Sequence, residues 1–315
     1  MSSAPARVRA PEPRPSPSPR PSSCYLCRSD QLTLKFRGRD DGSPMGAEAF
    51  NCTSFGHGNH PPIWSCSACG MLFQWPPRTQ EELLRMYQDV EDPLYVAEKD
   101  NRYHTFRRVL RQLGDTRGHT VLDVGAYCGY FLDVAREAGA KPEGLELSRW
   151  AARHARSLGF TLHEQTLEQR AASGAQYDLV TLWDVVEHFA DPRAELQAAF
   201  RLVRPGGRIC LSTIDAGSLA ARLMGARWPW LMDMHLFYFS RATLALLLEE
   251  VGFRVVDTRN YTHIVSAGYL LKKLAASFRP AAPVLDLAHR FVPEQFRIPV
   301  NLGDNMMMVA ERPAR

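Results

Sequence analysis

The chain has 315 residues, with 38 Lys and Arg against 34 Asp and Glu for a formal charge of +4; 45% is hydrophobic and 23% charged. That length holds one large core with a smaller satellite, or two ordinary domains, and the composition excludes collagen-like, coiled-coil and wholly disordered chains. No uninterrupted apolar run approaches the ~18 residues of a membrane-spanning helix, so no membrane span is expected.

Residues 1–23 carry seven prolines, and Arg7, Arg9, Arg14 and Arg20 against Glu12. Such a segment has little to bury and no apolar stretch of the kind a secretory signal needs, so a disordered Pro/Arg-rich tail is expected. The tail also holds most of the net charge. The remaining body is nearly neutral, which argues against a broad nucleic-acid footprint.

Next come two Cys-x-x-Cys pairs, Cys24–Cys27 and Cys66–Cys69, within a total of seven cysteines. An odd number arranged this way suits a reducing, cytoplasmic setting and a metal better than secreted disulfides. The spacing lets both thiolates of a pair reach one tetrahedral zinc at ~2.3 Å. The 38 residues between the pairs exceed the ~15–20 of an ordinary ribbon. Cys52, His57 and His60 fall in that insertion and are not expected to be ligands, while Cys128 and Cys210 read as small core residues.

Pro76-Pro77-Arg78-Thr79 marks a boundary, with Thr79 placed to cap a helix over Gln80–Tyr87. A second helix is expected over Lys99–Leu113, where Tyr103, Phe106, Val109, Leu110 and Leu113 recur at helical spacing; both helices are expected to pack on the domain C-terminal to them. From His119 onward strands and helices alternate. The strands are Thr120–Val124, Lys141–Leu147, Thr161–His163, Leu179–Trp183 and Arg208–Thr213, with Phe253–Thr258 and Asn305–Glu311 after them. The helices are Tyr130–Ala138, Arg149–Leu158, Pro192–Leu202 and Arg241–Val251, with Ser148, Asp191 and Ser240 at N-cap positions. This alternation predicts an α/β fold, a mostly parallel, doubly wound sheet covered on both faces. The domain boundaries expected are 24–78 for the cysteine module, 79–117 for a helical connector and 118–315 for the sheet domain.

The first strand of that sheet runs into Asp123-Val124-Gly125-Ala126-Tyr127-Cys128-Gly129. Glycines there let the backbone turn tightly and approach a ligand at the carboxyl end of the strand, where ligands of such sheets bind. The dinucleotide pattern Gly-x-Gly-x-x-Gly is absent, and an aspartate precedes the turn; a carboxylate suits a cationic ammonium or sulfonium better than a pyrophosphate. Glu146 ends the second strand, 21 residues after Gly125, about where an acidic side chain grips ribose hydroxyls.

VLDVGAYCGYF, GLELS, YDLVTLWDVVEHFADP and LVRPGGRICLST follow one another in an order that resembles class I S-adenosylmethionine-dependent methyltransferases. HLFYFS at His235–Ser240, before a helix ending in Gly252-Phe253, is similar to the ubiquinone-methyltransferase-like group within them. The resemblance implies a seven-stranded Rossmann-like sheet with a small N-terminal four-cysteine zinc ribbon, and S-adenosylmethionine as cofactor. It places Asp123, Gly125, Ala126 and Gly129 along the methionine side, Glu146 on the ribose and Leu147 against adenine. Thr166 and Leu167 would meet the adenine edge, and Trp183 and Asp184 the methionyl group, although Trp183 equally suits core packing.

Methyl transfer from a sulfonium is an in-line displacement, so alignment of acceptor, methyl and sulfur supplies much of the rate and a positioned base adds ~10²–10⁴-fold. His188, His235 and Tyr238 are the candidate catalytic side chains, with Asp184 and Glu187 beside them. Related enzymes carry Glu-x-x-Glu-His as a divalent-metal motif, which makes Asp184, Glu187 and His188 a candidate Mg site with Asp in place of the first Glu. The expected reaction is O- or C-methylation of a small-molecule acceptor such as a sugar or natural-product intermediate. The alternatives are RNA methylation through the zinc module and a cofactor-binding scaffold without turnover. Residues 214–240 are expected to form an acceptor loop. The 46 residues Arg259–Asp304 are expected as a lid insertion, with a helix over Leu270–Phe278 and Lys272 and Lys273 facing outward; it would roof the pocket, hold a second subunit in a homodimer, or rest on a membrane surface.

Overall fold

The computed structural model describes residues 20–39, 50–53, 58–277, 282–289, 292–293 and 296–314. The expected tail up to residue 19, His57 and Phe278 lie outside the described residues.

Side chains along a strand point alternately to opposite faces, and the apolar residues here serve both faces. Val121, Leu179, Cys210, Met307 and Val309 pack under Phe106, Val109, Leu110, Phe131 and Val134. Their neighbours Leu122, Val180, Ile209, Met306 and Met308 pack on the opposite side with Leu196, Leu202, Leu244 and Leu247. Burial on both sides is why these strands read as nearly continuous apolar runs. The resulting seven-stranded sheet has the order Arg254–Asn260, Asn305–Glu311, Val203–Ile214, Tyr177–Trp183, Thr120–Val124, Lys141–Leu145, Leu162–His163. Its inner pairings are parallel, and Asn305–Glu311 runs antiparallel to both neighbours. Crossing from one side of Thr120–Val124 to the other reverses the winding, which opens a crevice at the carboxyl ends of the strands.

Local chemistry fixes where the helices begin. Ser148 accepts the Ala151 N–H, Asp191 the Ala194 N–H, and Thr79 forms a reciprocal capping box with Glu82. Each such cap stabilises its helix by about 1 kcal/mol. Pro192 occupies the first turn of Pro192–Leu202, where its missing N–H costs nothing.

The N-terminal strands Leu32–Phe36, Ile63–Cys66 and Leu72–Gln74 form an antiparallel sheet, as short pieces flanking the cysteine pairs suggest. Its fourth strand is unexpected: Phe237–Tyr238, from the segment 214–240, pairs with Leu72 and Phe73. Tyr25 ties the same module to the sheet domain, since its hydroxyl donates to Asp191 and accepts the Arg193 N–H.

Lys99–Leu113 forms as expected and lies on Tyr130–Glu137, with the Tyr103 hydroxyl donating to Asp133 at 2.5 Å. The insertion folds as a hairpin of His263–Ser266 with Arg297–Val300, and between these strands run helices Ala267–Ser277 and Ala282–His289. The Ile264 N–H donates to Thr105 Oγ1 (2.8 Å) and Ser266 Oγ to Glu98 Oε1 (2.6 Å), anchoring the insertion to the connector helix. Lys272 faces solvent, as anticipated. Lys273 does not: it turns partly inward, with its Nζ 5.6 Å from the Tyr269 ring centroid. No helix among the described residues is long and apolar enough to cross a membrane.

Candidate active site

The site begins where Thr120–Val124 stops. The Gly125 and Ala126 N–H groups both donate to the Leu145 carbonyl, at 2.9 and 3.0 Å, which folds the chain back over the neighbouring strand end. Gly125 has φ +70°, and a Cβ there would come within 2.9 Å of Val185. The turn therefore requires glycine twice over, for its dihedral and for its clearance. Tyr127 and Asp184, flanking the crevice, hold φ of +48° and +55° without being glycine, a strain that persists only where surrounding structure enforces it.

Glu146 closes the other side of the turn. Its Oε2 accepts the Tyr127 N–H (2.7 Å) and its Oε1 the Ser148 N–H (2.6 Å). Burial raises its pKa while these backbone donors hold it down. Each carboxylate oxygen keeps a second acceptor direction, the capacity that a pair of vicinal hydroxyls needs. Around it runs a cavity walled by Val124, Gly125, Leu145, Leu147, Thr166 and Leu167, with Leu83 and Tyr87 from Gln80–Gln88 opposite. The Tyr87 hydroxyl is buried without a hydrogen-bond partner. An apolar slot beside a buried carboxylate has room for a flat group between aliphatic walls and an acceptor for its hydroxyls.

Gly125, Glu146, Leu147, Thr166, Leu167 and His188 stand on the cavity wall. Asp123 is buried behind it and accepts the Thr181 hydroxyl (2.6 Å), and burial pushes its carboxyl up to about 8. Ala126 and Gly129 support the turn from beneath, Gly129 with φ +78° against Ala155. Trp183 packs between Phe131 (5.0 Å) and Tyr261 (6.0 Å). Tyr238 is wholly buried, with its hydroxyl donating to the Met232 carbonyl and accepting from Gln74, both at 3.2 Å, so it braces the ribbon and the loop.

His188, on the cavity wall, meets His235, with ring centroids 5.0 Å apart. Each Nδ1 donates to a carbonyl, His188 to Met234 (2.8 Å) and His235 to Trp230 (2.9 Å). For His188 this leaves Nε2 as the basic nitrogen. Glu187 lies beside them, almost fully buried, with no hydrogen bond made by Oε2 among the described residues. One ligand atom from each of Glu187, His188 and His235 fits within 4.8 Å of the others. Of the expected set, Glu187 and His188 are brought together, with His235 as their third neighbour. Asp184 is engaged elsewhere, with Oδ1 accepting the Ser212 hydroxyl (2.8 Å) and Oδ2 3.7 Å from His263 Nε2.

Cys24, Cys27, Cys66 and Cys69 converge, with Cys24–Cys69 sulfurs 3.6 Å apart and Cys27–Cys66 3.5 Å. Four thiolates around one tetrahedral zinc lie ~3.8 Å apart. The donor set and spacing are consistent with zinc. His60 is buried elsewhere, its Nδ1 against the Pro61 carbonyl.

A family model described as a methyltransferase domain matches residues 97–258, just over half the chain. The ubiquinone biosynthesis O-methyltransferase of Sodalis glossinidius is 28% identical over 215 residues, covering 65% of this chain and 78% of that protein. The one from Aeromonas salmonicida is 32% identical over 158 residues, covering 46% and 66%, and for the Cronobacter sakazakii relative the chain spans about half the length, 53%. Among solved structures, an S-adenosylmethionine-dependent methyltransferase from Mesorhizobium loti aligns with a TM-score of 0.44 at 18% identity, over 65% of this chain and 96% of that one.

Proposed function

The chain belongs to the methyltransferase-domain family, and we propose that it is an enzyme methylating a hydroxyl of a small molecule with S-adenosylmethionine. The bound cofactor would supply an electrophilic methyl group. The observation that carries the reading is the cavity itself, lined by the buried Glu146 carboxylate beside the Gly125 turn and by His188, against which His235 packs. Glu146 would hold the ribose, and Val124, Leu147 and Leu167 would enclose the base. Asp123 would set the turn from behind through Thr181. His188, with its Nδ1 proton fixed on the Met234 carbonyl, offers Nε2 to receive the acceptor's proton. The ubiquinone O-methyltransferase relatives support a small oxygen acceptor over a macromolecular one.

A second reading for the same end of the cavity rests on the unpartnered Glu187 Oε2. Glu187, His188 and His235 would hold a divalent cation such as Mg or Zn, whose charge would lower the pKa of an acceptor hydroxyl. For the cysteine module we propose structural zinc, and for the chain the division into 24–78, 79–117 and 118–315.

Methyl transfer from labelled S-adenosylmethionine across a panel of phenols and sugars tests the activity. His188→Ala should lower turnover by ~10²-fold or more with cofactor affinity intact. Activity lost in EDTA and restored by Mg favours the cation; activity indifferent to EDTA, with the zinc retained, leaves His188 as the base. Absence of any heat with S-adenosylhomocysteine would sink the proposal.

A further inference from the structure

Two carboxylates stand on the wall of the cavity, Glu146 and Glu195. Glu146 is held by the Tyr127 and Ser148 N–H groups. Glu195 comes from the first turn of helix Pro192–Leu202, whose start is fixed by the Asp191 cap and by Pro192. It shares the wall with Phe189, which precedes that helix, and with Gln165, Thr166 and Leu167 at the start of helix Leu167–Ala172. The two helices pack together, and Arg201 ion-pairs with Glu168 between them.

The Glu195 carboxylate makes no hydrogen bond or ion pair among the described residues. Burial raises its pKa to about 7, and the nearby acids Asp191 and Glu168 push it the same way. The arginines of its own helix are turned to other partners, Arg193 to Glu250 and the Leu26 carbonyl, Arg201 to Glu168. An unpaired acid, half-buried among acids, lowers the stability of the fold. Much of the cavity wall is aliphatic, from Leu83, Leu84, Val124, Leu145, Leu147 and Leu167. In such surroundings a free acceptor selects the edge of a flat ligand that carries a donor.

We propose that Glu195 reads the base of the cofactor, its carboxylate accepting a hydrogen bond from the exocyclic amine of a 6-aminopurine whose ribose is held at Glu146. The preference has a repulsive side as well. A 6-oxo purine would bring a carbonyl oxygen against the carboxylate where the amine had stood. A site built to bond one polar group rejects the analogue lacking it more strongly than an apolar slot can. The glycine turn and Glu146 meet parts that every purine nucleoside shares, so Glu195 adds base identity to the site. This inference deepens the S-adenosylmethionine reading above and rests on it.

The test is calorimetry on the full chain at about pH 8, where a Glu195 titrating at about 7 is ionised. It compares S-adenosylhomocysteine with S-inosylhomocysteine, which carries an oxo group in place of the amine. The adenosyl compound should bind roughly 10- to 100-fold more tightly. Glu195→Leu should erase most of that ratio, weakening the adenosyl compound by ~10-fold or more and leaving the inosyl compound unchanged. Glu195→Gln, whose side-chain carbonyl still accepts, should keep a preference for the amine. A variant that is merely less well folded weakens both ligands together and leaves the ratio where it was. Equal binding of the two compounds by the unaltered chain, a ratio undiminished in Glu195→Leu, or a Glu195→Gln variant as indiscriminate as Glu195→Leu would overturn the inference. Absence of binding by both compounds overturns the cofactor reading instead, and is seen before any variant is made.

Discussion

Glu146 uses one lone pair of each carboxylate oxygen on the backbone, at Tyr127 and Ser148, and keeps the others for a ligand. Glu146→Gln would set an NH₂ against one of those N–H donors, disturbing the turn as well as the ribose contact proposed for it. We expect S-adenosylhomocysteine affinity to fall by ~10–100-fold, the equivalent of about 1.5–3 kcal/mol for a hydrogen bond to a charged group, measured by calorimetry. Asp123 allows a different measurement. Its folded pKa is raised to about 8, chiefly by burial, so between an unfolded value near ~4 and that figure the native state holds the extra proton. Its contribution to stability is therefore full at low pH and is lost as pH rises through about 8. Comparing unfolding midpoints of wild type and Asp123→Asn from pH 4 to 8 should show the variant gaining relative stability as pH increases; parallel curves would exclude the assignment.

Among the elements, the helix from Tyr130 depends on Gly129, which holds φ +78° with Ala155 Cβ only 2.9 Å from where its own Cβ would stand. Gly129→Ala should cost ~1–3 kcal/mol of unfolding free energy from strain and overpacking together, read from denaturant midpoints. Elements with local signals were legible in the sequence. Pro192–Leu202 and Arg241–Val251 have the expected bounds because Asp191 and Ser240 announce their starts by side-chain chemistry. Strand Asn305–Glu311 is equally plain, being apolar on both faces. Phe237–Tyr238 was not legible as a strand: two residues hold no periodicity, and their partners Leu72 and Phe73 are remote in sequence. The same applies to the site. Glycines and the acidic strand end point to the turn at Gly125 and Glu146, whereas the approach of His235 to Glu187 and His188 is encoded by no spacing.

At the scale of the molecule, the four-cysteine module is hydrogen-bonded to the segments that carry His188 and His235. The Gln74 N–H donates to the Leu236 carbonyl, and the Leu236 N–H to the Glu187 carbonyl, at 2.9 Å each, so the N-terminal sheet, Leu236 and Glu187 form one run of hydrogen bonds. Zinc removal should therefore be felt in catalysis as well as stability. Cys66→Ser is expected to abolish bound zinc by metal analysis, lower the Tm by several degrees and reduce turnover more than S-adenosylhomocysteine affinity, because this run of hydrogen bonds reaches Glu187 rather than Glu146.

The pairing of Leu72 with Tyr238 also dictates an order of assembly. A nascent chain emerges from the ribosome beginning with its first cysteines, yet the sheet around them stays one strand short until more than half of the polypeptide has been made. Long-range closures of this kind are slow to form. The early module must wait, with its thiols uncommitted or already metallated, for a segment synthesised much later to lock it in place.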